Sequence, residues 1–492
     1  MHMVLKELRT HTSDMWSKIQ TKYMCTLFTR AAKRVPAYAR FLRNSKAHQR
    51  TPTAQTFLAI PPITKDNYLR KSLFPDLFWD GVISSPHMLT ATSGSTGKPV
   101  YFARSHSVND QSSAIHELFF TSCSLSSKKS TLVIVCFGMG VWIGGFITSE
   151  AFELMGRRGY PVAVITPGLN KQEIFKALKQ LAPQYEQLII AGYPPFVKDV
   201  LDEAEENGIS IRKHKTALVF AAEAFTESFR EYVAKKANVR NVLTDTMNIY
   251  GSADLGTMAF ETPVSILIRR LACKHPDLFR ALFGGTDKTP TLAQYIPHFT
   301  SFEALKGELL VTGDSATPLI RYAIGDRGGV YTYDEISSIC KMHGVHLTKE
   351  LARAGIATKT AKLPFVFVYE RLDLSTTLYG LQIYPEIIRE TLLQSGFVQR
   401  LTGRLTLVTK FDDRQNQYLE INVEQRRGAE VEKALAAKLK AEIVKNLKLK
   451  SAEFYELSLH LGERTEPRLI FWPHEDPTYF RPDTKQKWVV KS

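Results

Sequence analysis

The sequence predicts an α/β fold: a large parallel or mixed sheet flanked by helices, followed by a small α+β unit. Between residues 131 and 250, β-branched runs alternate with stretches of helical periodicity, which is typical of βαβ units. From residue 372 onward the pattern changes to short strands around one long helix rich in Ala, Lys and Leu. The chain has 492 residues, 44% hydrophobic and 23% charged, which is ample material for a large folded core.

The periodicity places individual elements along the chain. Helical spacing of apolar residues covers residues 1–50, and a Pro/Thr-containing link follows over 51–62. In the alternating region we expect strands at 131–137, 161–166, 187–191, 216–222 and 242–250. Helices are expected between and after them at 141–155, 171–181, 195–206 and 226–236.

Later segments are predicted in the same way. Residues 257–306 are expected to be irregular, and 307–332 alternate as antiparallel strands do. Strands at 403–410 and 417–423, a helix at 429–447, further strands and a basic tail complete the chain.

The net charge is +15, from 64 Lys and Arg against 49 Asp and Glu, and it is unevenly distributed. Residues 1–50 hold 11 basic and 2 acidic side chains, whereas residues 401–492 hold 17 and 14. A basic surface favours anionic partners such as nucleotides, coenzyme A, nucleic acid or an acidic carrier protein. Three interpretations of the N-terminal charge compete: a nucleic-acid arm, a transit peptide, and the solvated faces of amphipathic helices.

Cysteine usage and hydropathy indicate a reduced cytoplasmic protein without a membrane span. The five cysteines are widely spaced with no Cys-x-x-Cys pair, and no N-terminal apolar stretch resembles a secretory signal. Cys340, His343 and His346 have metal-like spacing, but a complete zinc site would need a fourth ligand from elsewhere. The uncharged stretch 132–149 is interrupted by glycines, so we interpret it as a buried strand, a turn and a helix.

The most specific local motif is a glycine-rich loop, Thr90-Ala-Thr-Ser-Gly-Ser-Thr-Gly-Lys-Pro99. Hydroxyls, backbone N–H groups and one lysine in such a loop can surround a polyphosphate, although the alternative is a flexible surface loop. The spacing differs from that of a Walker A loop, which ends in Gly-Lys followed by Ser or Thr.

This loop resembles the phosphate-binding loop of adenylate-forming enzymes, and further motifs of that superfamily follow in the same order. Tyr250-Gly-Ser-Ala-Asp254 resembles Tyr-Gly-x-Thr-Glu, and Arg321-Tyr-Ala-Ile-Gly-Asp326 resembles Arg-Tyr-x-x-Gly-Asp. Arg371-x-Asp373 with Gly380 and Pro385 resembles the hinge motif, and Pro482–Lys487 resembles the C-terminal lysine motif. The likeness spans nearly the whole chain.

Three other segments are similar to the phenylacetate–CoA ligase and CapK-like branch of that superfamily. They are Arg34-Val-Pro-Ala-Tyr38, Pro61-Pro-Ile-Thr-Lys65 and Ala221-Ala-Glu-Ala-Phe-Thr-Glu227. The resemblance implies an adenylate-forming domain over residues 1–371, with a helical basic lead-in at 1–50, and a mobile C-terminal domain over 372–492. It also argues against a cleaved transit peptide at the basic N-terminus, since cleavage would remove part of the fold.

The resemblance implies roles for the nucleotide-site residues. The phosphates of ATP would be held by the loop residues Thr92, Ser93, Gly94, Ser95, Thr96, Gly97 and Lys98. Adenine would lie against Ala222, Glu223 and Tyr250, in the neighbourhood of Gly251 and Ser252. Asp326 would accept hydrogen bonds from the ribose hydroxyls, because a carboxylate offers two acceptor oxygens. Asp254 would bind Mg²⁺ where the superfamily has Glu, and Ala253 stands where it has Thr.

The resemblance also implies a moving catalytic lysine. Lys487 would place positive charge on the α-phosphate and carboxylate, with Lys485 as the alternative, since Gln486 replaces the usual Gly. Arg371 would contact the nucleotide at the junction, and Asp373 would mark the hinge. The alternatives are a solvated tail for the lysines and a surface ion pair for Arg371.

For the acyl pocket we name Phe137, Met139, Trp142, Tyr193 and Phe196, which lie near the ends of predicted strands or just after them. Aromatic residues at such positions also serve simply as core.

These expectations define a carboxylate-activating ligase using ATP and Mg²⁺, with coenzyme A as the leading acceptor and an aryl or other organic acid as substrate. One alternative is adenylation followed by transfer to a carrier protein or an amine. Another, from a different class, is a basic nucleic-acid-binding protein with a degenerate nucleotide site, although no nucleic-acid-binding motif is recognisable. The expected state is a monomer or homodimer without nucleic acid or membrane.

Replacing Lys487 with Ala is expected to slow adenylation by about two to three orders of magnitude, because one electrostatic contact to the transition state is lost. The rate of carboxylate-dependent ATP–pyrophosphate exchange measures the change. Lys485→Ala is the matched control and should retain the rate. The reverse pattern would move the role to Lys485, and full activity in both variants would contradict the assignment.

Overall fold

The computed structural model describes residues 7–45, 52–83, 88–91, 100–140, 143–284, 289–369, 375–480 and 488–490. The helices are α1 Ser13–Arg34, α2 Pro36–Asn44, α3 Ala54–Phe57, α4 His106–Ser122, α5 Ile143–Arg157, α6 Lys171–Lys176, α7 Pro194–Glu206, α8 Glu227–Lys236, α9 Pro263–Lys274, α10 Pro276–Phe283, α11 Tyr333–Met342, α12 Leu347–Arg353, α13 Pro385–Leu392, α14 Lys433–Lys450 and α15 Ala452–Leu461. The strands are β1 Met88–Ala91, β2 Tyr101–Arg104, β3 Thr131–Cys136, β4 Val162–Ile165, β5 Gln187–Gly192, β6 Lys215–Ala221, β7 Thr246–Ser252, β8 Gly256–Phe260, β9 Thr291–Gln294, β10 Thr300–Leu305, β11 Glu308–Gly313, β12 Leu319–Tyr331, β13 Phe365–Tyr369, β14 Thr376–Leu378, β15 Leu381–Ile383, β16 Leu401–Phe411, β17 Gln417–Gln425 and β18 Arg468–Trp472.

Most of the described strands form one mixed sheet, in the order β10-β11-β12-β13-β9-β8-β7-β6-β5-β3-β4. The five strands from β4 to β7 pair in parallel, and the others pair antiparallel. The parallel half is the region where strands and helices were predicted to alternate, and β3 and β5 are buried at every residue. The predicted α/β class with a mixed sheet is therefore confirmed.

The expectation of irregular structure at 257–306 is wrong. This region contains β8, α9, α10, β9 and β10. Pro263 and Pro276 occupy the first turns of α9 and α10, where proline is favourable because no N–H is needed there. Thr262 and Ser265 form a capping box that starts α9. Prolines that look like helix breakers in the sequence are helix starters in the fold.

The C-terminal unit has its own three-stranded sheet, as expected. β16 and β17 pair antiparallel, and β18 adds in parallel to β17. The helix α14 is observed, but the strands expected directly after it are replaced by α15, and only β18 follows. Ser451 starts α15 by accepting a hydrogen bond from the backbone N–H of Phe454 at 3.1 Å.

The basic N-terminal helices pack against acidic residues of neighbouring elements. Arg30 contacts Asp314 at 3.2 Å and Arg34 contacts Asp80 at 2.5 Å. Both guanidinium groups also lie over the ring of Trp79, at 4.7 and 5.4 Å from its centroid. Part of the N-terminal charge is thus neutralised within the fold.

The structure bears on two further features of the sequence, its long apolar stretch and the spacing of Cys340, His343 and His346. In the described part of the chain, no helix combines the length and apolarity needed to cross a bilayer. Cys340 is buried, whereas His343 and His346 are exposed, and no metal-like cluster of three ligands occurs among the described residues. Burial raises the pKa of the Cys340 thiol to about 11, which disfavours the thiolate that a metal would need.

The arginine of the Arg-Tyr-x-x-Gly-Asp segment is a structural anchor. Arg321 is buried, pairs with Glu303 at 3.0 Å, and donates to the carbonyl oxygens of Leu58 (2.7 Å) and Ile60. Its own backbone carbonyl accepts from the N–H of Ile63 at 3.1 Å. These contacts fix the segment before Lys65 along β12.

Replacing Arg321 with Met should lower the free energy of unfolding by about 3 kcal/mol, because Glu303 would remain buried without its partner. Burial already raises the pKa of the Glu303 carboxyl, and only Arg321 opposes this shift. Urea unfolding measures the change. Arg327→Met, at an exposed position on the same strand, should cost no more than about 0.5 kcal/mol. Equal stabilities of the two variants would contradict the anchoring role.

Candidate active site

A cavity of about 330 Å³ lies at the carboxyl ends of the parallel strands. In open α/β sheets this edge is where ligands bind. Residues that follow β3, β5, β6 and β7 converge there with Lys65 and with residues of the C-terminal unit. The lining includes Lys65, Phe137, Ile143, Gly144, Ile147, Thr148, Tyr193, Ala222, Glu223, Asn248, Tyr250, Gly251, Ser252, Asp254, Thr257, Asp326, Tyr379, Gly380, Glu453 and Leu457.

The turn after β6 brings Ala222 and Glu223 into the cavity wall. Ala222 has φ +76°, a backbone conformation that is uncommon for a residue with a side chain. The Asn248 side chain in β7 donates to the Glu223 carbonyl oxygen at 3.0 Å, and its own N–H donates to the buried Glu261 carboxylate at 3.0 Å. Glu261 in turn pairs with Arg230 at 2.7 Å. A buried polar network therefore fixes this turn.

Tyr250 and Asp326, which are far apart in the sequence, meet in the cavity. The Tyr250 hydroxyl donates to Asp326 Oδ2 at 2.5 Å, and Asp326 is 8% exposed. The Tyr250 ring stacks on Phe302 with a centroid distance of 5.9 Å and an interplanar angle of 30°. An aromatic ring beside a carboxylate offers a nucleoside both a stacking surface and hydrogen-bond acceptors. The assignments of Tyr250 to adenine and of Asp326 to the ribose remain predictions, but the structure places these two residues side by side.

Asp254 lies at the polar end of the cavity and is only 3% exposed. Its Oδ2 accepts a hydrogen bond from the Tyr322 hydroxyl at 2.7 Å, and Lys65 Nζ is 3.9 Å away. Lys65 was absent from the predicted site, although its Pro-Pro-Ile-Thr-Lys segment had been singled out. The sequence therefore marked the segment that contains Lys65. The position of Lys65 beside Asp254, however, depends on the long-range pairing of this segment with β12.

The apolar end of the cavity contains only part of the predicted acyl pocket. Phe137 and Tyr193 line it, with their rings edge to face at 5.0 Å. Met139 does not line the cavity, because its side chain packs toward Gly145 and Gly168. Phe196 is fully buried in the core below.

Ile143, Gly144 and Ile147 of α5 complete the apolar end of the cavity and were missed. They lie within a stretch that had been recognised only as a helix, and helical periodicity alone does not reveal which face lines a cavity.

The C-terminal unit closes one side of the cavity. The Gly380 N–H donates to Glu223 Oε1, and the Gln417 side chain donates to Glu223 Oε2 at 2.9 Å. Gly380 has φ +81°, and a Cβ there would clash with the Tyr193 ring. Glu223 thus uses its carboxylate to hold the C-terminal unit, in addition to its expected place near adenine.

Several predicted residues lie outside the described residues: Thr92 to Lys98 of the glycine-rich loop, Trp142, Arg371, Asp373, Lys485 and Lys487. The described strand β1 leads toward the loop, and the Thr90 hydroxyl donates to the Ala253 carbonyl oxygen at 3.2 Å. The last described residues before the loop therefore lie next to Ala253, the neighbour of Asp254. Trp488 stacks under Arg389 at 4.9 Å, and the N–H of Val490 donates to Leu407 in the C-terminal sheet at 2.9 Å.

Comparison with known proteins identifies the fold. No protein-family model and no curated protein sequence matches the chain. Among solved structures, 2-hydroxyisobutyryl-CoA ligase with 2-HIB-AMP and CoA in the thioesterification state matches with a TM-score of 0.66 at 15% identity, over 99% of this chain and 91% of that one. The same ligase in the postadenylation state matches with a TM-score of 0.55 at 14% identity, over 99% of this chain and 92% of that one. The amide bond synthetase McbA from Marinactinospora thermotolerans matches with a TM-score of 0.45 at 13% identity, over 80% of this chain and 67% of that one. The chain has the fold of adenylate-forming enzymes.

Asp326→Ala should raise the apparent KM for ATP by about tenfold or more, because hydrogen bonds to a charged acceptor are worth about 1.5–3 kcal/mol. Initial rates of pyrophosphate exchange at varied ATP concentrations measure this. Asp334→Ala, on the exposed surface of α11, is the control and should leave the KM unchanged. An unaltered KM in Asp326→Ala would show that this carboxylate does not bind the ribose.

Proposed function

We propose that this protein is an ATP-dependent ligase that converts a carboxylic acid into an acyl-adenylate and then transfers the acyl group to an acceptor. The observation that carries the proposal is the single cavity that joins a polar end, with Lys65, Tyr250, Asp254 and Asp326, to an apolar end around Phe137. A volume of about 330 Å³ is in the range of small-molecule sites. The fold of adenylate-forming enzymes supports the same reaction.

In the first half-reaction, a carboxylate oxygen of the acid attacks the α-phosphate of ATP. The new P–O bond forms as the bond to the leaving pyrophosphate breaks. Asp326 and Tyr250 would hold the nucleoside, and Lys65 would place positive charge beside the phosphates. The glycine-rich loop and Lys487 keep the roles that the sequence resemblance gives them.

Asp254 would hold Mg²⁺ in this reaction. Magnesium in nucleotide sites usually uses one or two carboxylates together with phosphate oxygens and water. The residues fit that pattern: Asp254 is a buried carboxylate in the cavity wall, near Lys65 and beside the described end of β1. When bound, the ion would neutralise phosphate charge.

The acid is proposed to carry an uncharged, largely apolar tail. The described residues that line the cavity around Ile143, Gly144 and Ile147 are mainly apolar, and the hydroxyls of Thr148, Tyr193 and Thr257 carry no charge. A second charge on the acid would be desolvated there without a partner, which is costly. This favours aromatic or aliphatic acids over dicarboxylates and amino acids.

The orientation of the C-terminal unit described above is proposed to serve the second half-reaction. The higher TM-score to 2-hydroxyisobutyryl-CoA ligase in the thioesterification state than to the same ligase in the postadenylation state supports this proposal. In this step the acceptor's sulfur or nitrogen attacks the acyl carbonyl and forms a C–S or C–N bond. The C–O bond to the phosphate breaks, AMP leaves with its electron pair, and the acceptor's proton passes to solvent.

Coenzyme A is the leading acceptor, and an amine or a carrier protein is the alternative. Glu453 and Leu457 line the cavity on the C-terminal side, and no described Lys, Arg or His does so there. This surface suits the neutral arm of coenzyme A, and the carboxylate of Glu453 also suits a positively charged amine. Supplying each acceptor in the full reaction distinguishes them.

Two coarser proposals accompany this function. The division into a domain over 1–371 and a mobile domain over 372–492 is proposed from the sequence resemblance, with a hinge at Asp373. The cytoplasm is the proposed compartment, and the five unpaired cysteines support it.

Purified protein with Mg²⁺ should catalyse ATP–pyrophosphate exchange that depends on an added carboxylic acid. Aryl and medium-chain aliphatic acids should exceed dicarboxylic and amino acids by about tenfold or more, because an unpaired charge in the apolar end costs at least about 1.4 kcal/mol. Ile147→Ala should extend the range to bulkier acids. Absence of exchange with every acid would refute the ligase function, and a best substrate with a charged tail would refute only the acid class.

A further inference from the structure

A charged contact joins α7 of the large unit to the C-terminal unit. Arg464 Nη1 lies 2.6 Å from Asp199 Oδ2, and its Nη2 lies 3.0 Å from Glu203 Oε1. Asp199 and Glu203 are one turn apart on α7, so their carboxylates face the same direction. One guanidinium therefore spans two carboxylates across the junction between the units.

The acidic side of this contact is built into the fold. Asp199 is 1% exposed, and burial raises the pKa of its carboxyl, which Arg464, Lys171 and Lys198 oppose. Lys171 also holds Glu203 at 2.6 Å. A buried carboxylate needs such partners, and Arg464 is a positively charged partner contributed by the C-terminal unit.

The same contact is coupled to the cavity through Tyr379. The Tyr379 hydroxyl donates to Asp199 Oδ2 at 3.1 Å, the oxygen that Arg464 contacts. Tyr379 has φ +48° and is followed by Gly380, whose N–H reaches Glu223 in the cavity wall. The Arg464 contact and the closure of the cavity are therefore parts of one arrangement of the C-terminal unit.

We propose that Arg464 is a positioning residue for acyl transfer. Its contacts with Asp199 and Glu203 hold the C-terminal unit in the orientation that places the Tyr379–Gly380 turn in the cavity. This inference rests on the proposed function, in which that orientation serves transfer and adenylation uses a different one. Removing the contact shifts the population of orientations away from the transfer state and leaves the adenylation machinery intact.

Arg464→Met tests the inference in two half-reactions. Pyrophosphate exchange should stay within about twofold of the unaltered protein, while single-turnover transfer from preformed acyl-adenylate should slow about tenfold, as a modest shift in orientation would produce. Arg464→Lys should restore part of the transfer rate by keeping the charge. Glu203→Gln should slow transfer less, since Asp199 remains. Arg468→Met is the matched control, because Arg468 stacks on Tyr418 within its own unit and should alter neither rate.

Hydrogen–deuterium exchange tests the contact independently of any substrate. In Arg464→Met, amides of α7 and of residues 376–383 should exchange faster than in the unaltered protein and in Arg468→Met. Unchanged exchange there, or equal losses in both half-reactions, would overturn the positioning role. A protein that shows the deuterium effect but activates no acid would instead refute the proposed ligase function while retaining the contact.

Discussion

The arrangement of the site depends on the hydrogen bonds that the Glu223 carboxylate accepts. Its backbone is fixed from below by Asn248 and the buried Glu261–Arg230 pair, and its two oxygens accept from Gly380 and Gln417 of the C-terminal unit. A 7%-exposed carboxylate must be paired in this way, because an isolated buried charge is very costly. Because Glu223 needs these partners, the cavity wall that contains it is linked to the position of the C-terminal unit.

Local chemistry determined what the sequence could predict. The parallel strands were recognised because β3 and β5 are buried on both faces and therefore continuously apolar. The helices α9 and α10 were missed because proline has opposite meanings inside a helix and at its first turn. The structure turns the Met139 side chain toward Gly145 and Gly168, because the direction of a side chain after a strand end depends on the glycine turn around it, not on its spacing.

Long-range pairing determined what the sequence could not predict. Tyr250 and Asp326 were each assigned to the nucleotide from motifs, yet their mutual hydrogen bond joins residues 76 positions apart. Lys65 reaches Asp254 only because Arg321 and β12 hold its segment. The sequence left several interpretations of the basic N-terminus open, because it could not show that Asp80 and Asp314, distant in sequence, neutralise part of its charge.

The junction between the two units combines apolar packing with charged contacts, since buried side chains of both units belong to one hydrophobic core cluster. Interfaces within a chain that permit motion are more polar than interfaces that hold units in one arrangement, so the charged contacts are the part of this junction that suits movement. Arg464 is about 40% exposed, so it could return to water at little cost, while Lys198 and Lys171 would stay near Asp199 in the proposed movement of the units. The desolvation of Asp199 offsets much of the Coulomb attraction. In the proposed function, a contact of this kind would favour one orientation without fixing it, which is the energetic condition for two half-reactions to share one cavity.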